Sequence, residues 1–160
     1  MKNYFKIFTL LFLFLIQQIS VSQNETKKWY FGAQAGLDFV PAVPTILTNG
    51  MMNPWEGCAS IADNTGALLF YTDGITVWNK LHAPMSNGNG LFGNSSATQS
   101  GVIVKQPGNT NIYYIFTCDA QGGPNGLRYS VVDMNLSAGN GSVTVKNFLL
   151  FNQTTERITA

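Results

Sequence analysis

Charge is what this sequence of 160 residues has least of: Asp, Glu, Lys and Arg together make up 11% of it. The apolar share is 45%, and that balance excludes a disordered chain, which needs the reverse. There is one histidine, His82, and there are two cysteines, Cys58 and Cys118. Those three residues cannot complete a four-ligand zinc site. A single imidazole also leaves little scope for acid–base catalysis. Beyond residue 22 no window repeats apolar side chains at i, i+3, i+4 and i+7 behind a cap, so no helix is expected there. No apolar run reaches the roughly 20 residues that cross a bilayer.

The longest apolar run lies at the start. Residues 7–16 are apolar except for Thr9, and Lys2 and Lys6 precede them. Such a run makes about 15 Å of helix, about half of a bilayer core. Gln17 and Gln18 end it, and Ser20-Val21-Ser22 supplies small residues at the −3 and −1 positions of a cleavage site. Residues 1–22 are therefore expected to be a secretory signal peptide, with Gln23 as the new N-terminus and the product secreted or held at the cell surface. Removing Lys2 and Lys6 lowers the basic count from nine to seven against eight acidic residues. No basic face remains for a phosphate backbone, so nucleic acid is not an expected partner. No membrane span is expected after cleavage.

What remains is a series of short β-rich runs punctuated by Gly, Asn and Pro. Residues 23–57 hold one strand-like run, Trp29-Tyr30-Phe31-Gly32, and an irregular linker with Pro41, Pro44 and Pro54. Residues 58–160 hold two sets of runs. The first comprises 58–62, 68–71 and 75–79, with Asp63-Asn64-Thr65-Gly66 as a tight turn. The second comprises 101–105, 112–117, 127–134 and 143–150. Cys58-Ala59-Ser60-Ile61-Ala62 aligns with Ser100-Gly101-Val102-Ile103-Val104, and Leu69-Phe70-Tyr71-Thr72-Asp73 aligns with Ile115-Phe116-Thr117-Cys118-Asp119. A repeat of about 40–50 residues with up to four strands is a mark of β-propeller blades. The expected fold is all-β: an incomplete β-propeller of about two four-stranded blades plus the start of a third. A sandwich whose strands happen to look alike is the alternative. Glu156-Arg157-Ile158-Thr159-Ala160 looks like the opening of a further first strand, so the blades are expected to be truncated at the C-terminus.

Several segments resemble the N-terminal propeller region of large secreted proteins associated with bacterial gliding motility. They are Trp29-Tyr30-Phe31-Gly32, Gly36-Leu37-Asp38-Phe39, Glu56-Gly57-Cys58-Ala59-Ser60-Ile61, Leu69-Phe70-Tyr71-Thr72-Asp73-Gly74-Ile75-Thr76-Val77-Trp78-Asn79, Asn94-Ser95-Ser96-Ala97-Thr98-Gln99-Ser100-Gly101 and Gly126-Leu127-Arg128-Tyr129-Ser130-Val131-Val132-Asp133. The resemblance implies further blades, immunoglobulin-like repeats and a C-terminal sorting domain read by the type IX secretion system. It implies no catalytic residues.

The motifs that carry chemistry elsewhere are weak here. Gly88-Asn89-Gly90-Leu91-Phe92-Gly93 has the G-x-G-x-x-G spacing, but polar residues follow where a dinucleotide site needs a helix. No cofactor is expected, and residues 88–93 are taken as a flexible loop between blades. Asn94-Ser95-Ser96-Ala97 lacks the glycine of a nucleophile elbow, and His82 is expected at the surface. Asp73 and Asp119 end equivalent strands and are weak candidates for a ligand-binding rim, although an Asp so placed commonly caps its own turn. Neither belongs to a calcium loop, and no metal site is expected. Export would permit a Cys58–Cys118 disulfide, while the apolar runs around both equally suit free thiols. Trp55, Trp78, Tyr113, Tyr114 and Tyr129 are expected mainly to pack the blades. The chain is thus expected to be no enzyme but an adhesion or scaffold module, the front of a larger protein, binding a protein or glycan at the cell surface. The alternative is the propeller portion of a secreted hydrolase whose catalytic domain lies beyond residue 160.

Overall fold

The computed structural model describes residues 23–159. The signal-peptide segment lies outside the described residues, as does Ala160. Among the described residues there are β-strands and three single-turn 3-10 segments, and no α-helix.

Residues 23–57 are more ordered than a linker. β1 (Lys28–Tyr30), β2 (Gly36–Asp38) and β3 (Thr45–Leu47) form an antiparallel sheet in the order β1-β2-β3. This corrects the expectation of one strand and an irregular linker: β2 pairs with β1, and the segment after Phe39 contains β3. Lys28 stands opposite Asp38 in that pairing, and their side chains form an ion pair. β2 and β3 are three residues each, too short to show a period of two in sequence.

The remaining strands make two four-stranded meanders. The first is β4 (Ala59–Ala62), β5 (Leu68–Thr72), β6 (Thr76–Asn79) and β7 (Pro84–Asn89). The second is β8 (Gly101–Lys105), β9 (Ile112–Cys118), β10 (Leu127–Asp133) and β11 (Ser142–Phe151). Turn chemistry explains the first. Asp63 Oδ1 accepts from the backbone N–H of Thr65 and Ala67 at 2.8 and 3.0 Å, and Gly66 takes φ +87°. Asn79 Oδ1 accepts from Leu81 N and Ala83 N at 2.9 and 3.2 Å. Both are side-chain imitations of a backbone turn. β7 was not expected, since its Pro, Gly and Asn residues disfavour strands. Its proline is the first residue, where no ladder donor is needed.

β7 and β11 meet in parallel at Ser86 and Ser142, giving one eight-stranded sheet in the order β4-β5-β6-β7-β11-β10-β9-β8. The sheet curls until its edges, β4 and β8, come together, so it is barrel-like and nearly closed. Its interior is the main core: Phe70, Val77, Met85 and Leu91 from the first meander meet Tyr113, Ile115, Val132, Met134 and Val143 from the second. The other side of the first meander packs on the N-terminal sheet through Tyr30, Met52 and Tyr71, flanked by Leu47, Cys58, Leu68 and Trp78.

The repeat is visible in space with a slip. Phe70 points into the shared core, whereas its counterpart Phe116 lies on the far side of the second meander, opposite Val102 and Tyr129. Ile61 and Ile103, by contrast, both pack against the shared core. A bulge between Ile61 and Ala62 in the β4–β5 pairing supplies the odd residue, and one residue of slip turns every side chain to the opposite face.

Candidate functional site

The Gly-rich loop after β7 crosses the ends of the first meander at close range. Gly93 N donates to Gly74 O at 2.9 Å, and Gly57 N donates to Ala97 O at 3.1 Å. Ser100 is fully buried, and its Oγ lies 2.6 Å from Gly57 O and 2.7 Å from Asp73 O. A Cβ on Gly93 would stand 2.5 Å from Gly74 O, and one on Gly74 would stand 2.5 Å from Ser100 O. The segment that carries the G-x-G-x-x-G spacing is therefore not a slack loop. Gly88 belongs to β7, and Gly93 is small because backbone passes against it.

The two candidate aspartates are engaged by their own turns. Asp73 Oδ1 accepts from Ile75 N and Thr76 N at 2.9 and 2.7 Å. Asp119 is buried; it accepts from Ala120 N at 2.9 Å, Asn94 Nδ2 at 3.1 Å and Asn125 N at 3.1 Å. Burial pushes the Asp119 carboxyl up, but the bonds from Asn125, Asn94 and Ala120 outweigh it and hold the group below its ordinary value. These bonds occupy both carboxylate oxygens of Asp119 and Oδ1 of Asp73, so the geometry gives both residues a turn-capping part.

Cys58 and Cys118 are free thiols rather than a disulfide. Each is bonded elsewhere, Cys58 Sγ to Tyr30 O at 3.5 Å and Cys118 Sγ to Gln99 O at 3.2 Å. Burial raises both, with Asp73 adding to it at Cys58 and Glu156 and Asp119 at Cys118. Protonated thiols of this kind are poor nucleophiles. Cys58 also takes part in holding the N-terminal sheet. Cys58, just ahead of β4, and Ser60 within it reach the backbone of β1, with Ser60 Oγ donating to Lys28 O at 2.7 Å and accepting from Tyr30 N at 3.3 Å.

An open groove of about 480 Å³ lies between the approaching edges of β4 and β8, lined by Glu56, Cys58, Ser60, Thr98, Gln99 and Val102 among others. Its lining combines backbone edges with small and apolar side chains. Glu56 is the one charged residue in it.

His82 is partly exposed, yet it is tied into a network of side chains. It sits at φ +61° in the β6–β7 turn with its ring against Tyr30 and Tyr71, at centroid distances of 5.5 and 5.7 Å. Tyr30 OH donates to Asn49 Oδ1 at 3.0 Å, and Asn49 Nδ2 donates to His82 Nε2 at 2.8 Å. With Nε2 accepting, Nδ1 carries the proton and donates to Tyr71 OH at 3.1 Å. Tyr71 OH also accepts from Met51 N at 3.1 Å. The network needs a neutral imidazole, and burial lowers the His82 pKa from 6.5. The stability it contributes is therefore present above about pH 6.5 and is lost as the pH falls below that value. Urea midpoints at pH 7.5 and 5.5 are expected to differ more for the natural chain than for His82→Asn, a residue that tolerates positive φ. Equal differences in the two proteins would show that His82 is not the titrating group.

Among the described residues one buried side-chain hydroxyl has no hydrogen-bond partner. Thr117 Oγ1, fully buried on β9, makes no hydrogen bond. Thr117→Val keeps the shape and removes the desolvated hydroxyl, so a gain of about 1 kcal/mol is expected in urea unfolding. A loss of similar size would mean that a water satisfies the group.

Of the aromatic residues, Tyr113 is buried in the core, Trp78 stacks on Tyr71, and Trp55 is 84% exposed. Tyr114 and Tyr129 contact each other and Phe116 on the far side of the second meander. No family model, curated protein or solved structure matches the chain.

Proposed function

We propose that this chain is the front part of an exported interaction module built from propeller-type units, serving adhesion or scaffolding at the cell surface. The observation that carries the reading is the relation between the two meanders. β4 lies near β8, and β7 runs parallel to β11 at the opposite side. In a sandwich, a two-fold axis running along the strands between the sheets would instead set the first strand of one against the last of the other. Rotation about an axis beside β4 and β8 gives the adjacency found here, and neighbouring propeller blades are related in that way. The leader supports export, and the resemblance to gliding-motility-associated proteins supports the type IX route and a surface location. A protein or glycan is the partner class that fits, with the groove between β4 and β8 open at the side where such an axis would run.

The test is fractionation of the cells that make the protein, followed by N-terminal sequencing. The expected product is recovered from the medium or is removed by protease from intact cells, and it begins at Gln23. A product retained in the cytoplasm with Met1 or Lys2 in place would overturn the reading.

A further inference from the structure

The bond that closes the β8–β9 hairpin fixes which way each β8 residue turns its main chain. Gln106 N donates to Ile112 O at 2.9 Å, and the register then runs without a shift from Lys105 opposite Tyr113 to Gly101 opposite Thr117. In an antiparallel pair every second residue bonds the neighbouring strand. Val102 and Val104 therefore bond β9. Gly101, Ile103 and Lys105 turn their N–H and C=O groups the other way, to the edge that borders the groove with β4. Among the described residues no strand pairs with that edge. The facing edge of β4 is less bare, because Ser60 Oγ bonds Lys28 O and Tyr30 N and so holds β1 alongside it.

We propose that the free edge of β8 takes an extended segment of a protein partner as an added strand, uncharged along β8 and carrying Lys or Arg at the end beside Glu56. The inference rests on the interaction-module reading given above and names the partner class for its groove. Three observations carry it. First, three alternate residues each present a donor and an acceptor, a row that an extended main chain matches. β8 has five residues, so the row is about 17 Å long and takes a segment of about five residues.

Second, the same edge bonds main chain just ahead of β8. Gln99 has the parity of Gly101 and Ile103, and its N–H donates to Glu156 O at 2.9 Å. Residues 152–159 form no strand, against the sequence expectation of one opening at Glu156, and no ladder continues from this bond along β8.

Third, the lining favours peptide over glycan. None of the residues lining the groove is aromatic, so a sugar ring finds no platform, while Cys58, Ala59, Val102 and Ile103 give small and apolar walls. Glu56 is the one charge there; it is exposed and forms no ion pair among the described residues. It stands at the end that Gly57 closes, through Gly57 N to Ala97 O at 3.1 Å and Ser100 Oγ to Gly57 O at 2.6 Å. A cation at that end of the segment meets an unpaired carboxylate.

The test is residue-resolved hydrogen exchange on the protein purified from its source, alone and with the synthetic peptide acetyl-Thr-Val-Thr-Val-Lys-amide. In the protein alone, the amides of Gly101, Ile103 and Lys105 should exchange about 100-fold or more faster than those of Val102 and Val104. With the peptide at ten times its measured Kd, those three should slow by about 10-fold while Val102 and Val104 stay as they were. Methylating the main-chain nitrogens of one alternate set in the peptide should abolish binding, and methylating the other set should leave it. Glu56→Gln should weaken binding by about 3-fold, the scale of an exposed ion pair. Absence of binding up to about 10 mM peptide, weaker than any working contact, overturns the proposal. Slowing at both parities alike, or indifference to methylation of either set, also overturns it. Gly101, Ile103 and Lys105 already protected without peptide would mean that the edge is covered by its own polypeptide, and protection by maltoheptaose would make the groove a sugar site; either result overturns the proposal. A surface-displayed protein that fails these tests sinks this inference alone, whereas a cytoplasmic product sinks the functional reading beneath it.

Discussion

Gly57→Ala is expected to destabilise the protein by about 3 kcal/mol, the upper end of the range for overpacking. A Cβ there would stand 2.2 Å from Ser100 N, 2.8 Å from Gln99 Cα and 2.9 Å from Ala97 O. All three are main-chain atoms, so no side chain can rotate out of the way. The segment they belong to is itself fixed, because Ser100 Oγ bonds Gly57 O and Asp73 O from a fully buried position. Relief would need the loop before β8 to lift from the start of β4, and that would break the Gly57 N to Ala97 O bond. Gly101→Ala is the control. Its Cβ would meet nothing closer than 3.5 Å, ordinary contact, although Gly101 is also buried. Urea unfolding should show Gly101→Ala near neutral. A Gly57→Ala loss under about 1 kcal/mol would mean that the crossing is looser than its distances imply.

The same crossing shows what the sequence reveals and what it hides. The turn chemistry was legible, because Asp63, Gly66 and Asp73 act locally and their partners lie within four residues. β9 and β10 were legible as strands because each is a run rich in aromatic and β-branched residues bounded by turn residues. β7 was hidden because Pro84, Asn87 and Gly88 oppose strand formation, and long-range bonds hold it instead, such as Asn87 Nδ2 to Val143 O at 2.8 Å. β2 and β3 were hidden because three residues show no period. The contacts of His82 were hidden because its partners lie far earlier in the chain, Tyr30 in the first strand-like run and Asn49 in an apparently irregular segment. The likeness of Phe70 to Phe116 was visible in sequence. That one is buried and the other half-bare follows only from which neighbours are present.

Two adjacent residues of β5 offer the sharpest separation of the two cores. Phe70 and Tyr71 are both fully buried, yet they point to opposite sides of the first meander. Phe70 meets Tyr113 edge-on, with ring centroids 5.5 Å apart, and so ties the two meanders together. Tyr71 is stacked between Tyr30, at 4.8 Å, and Trp78, at 5.6 Å, and its hydroxyl holds Met51 N and His82. Either residue changed to Ala should cost about 3–5 kcal/mol, the range for a buried aromatic ring. What should differ is the element that loosens first. In Tyr71→Ala the N-terminal sheet loses its main anchor, so amide protection should fall at Tyr30 and Leu37 while Ile115 and Ser130 stay protected. In Phe70→Ala the order should reverse, because β9 and β10 lose their packing partner while the Tyr30–Tyr71–Trp78 stack keeps its own. Hydrogen exchange resolved by residue reads both patterns. If the two variants lose protection everywhere alike, the cores unfold as one unit, and the division into an N-terminal sheet and two meanders has no energetic meaning.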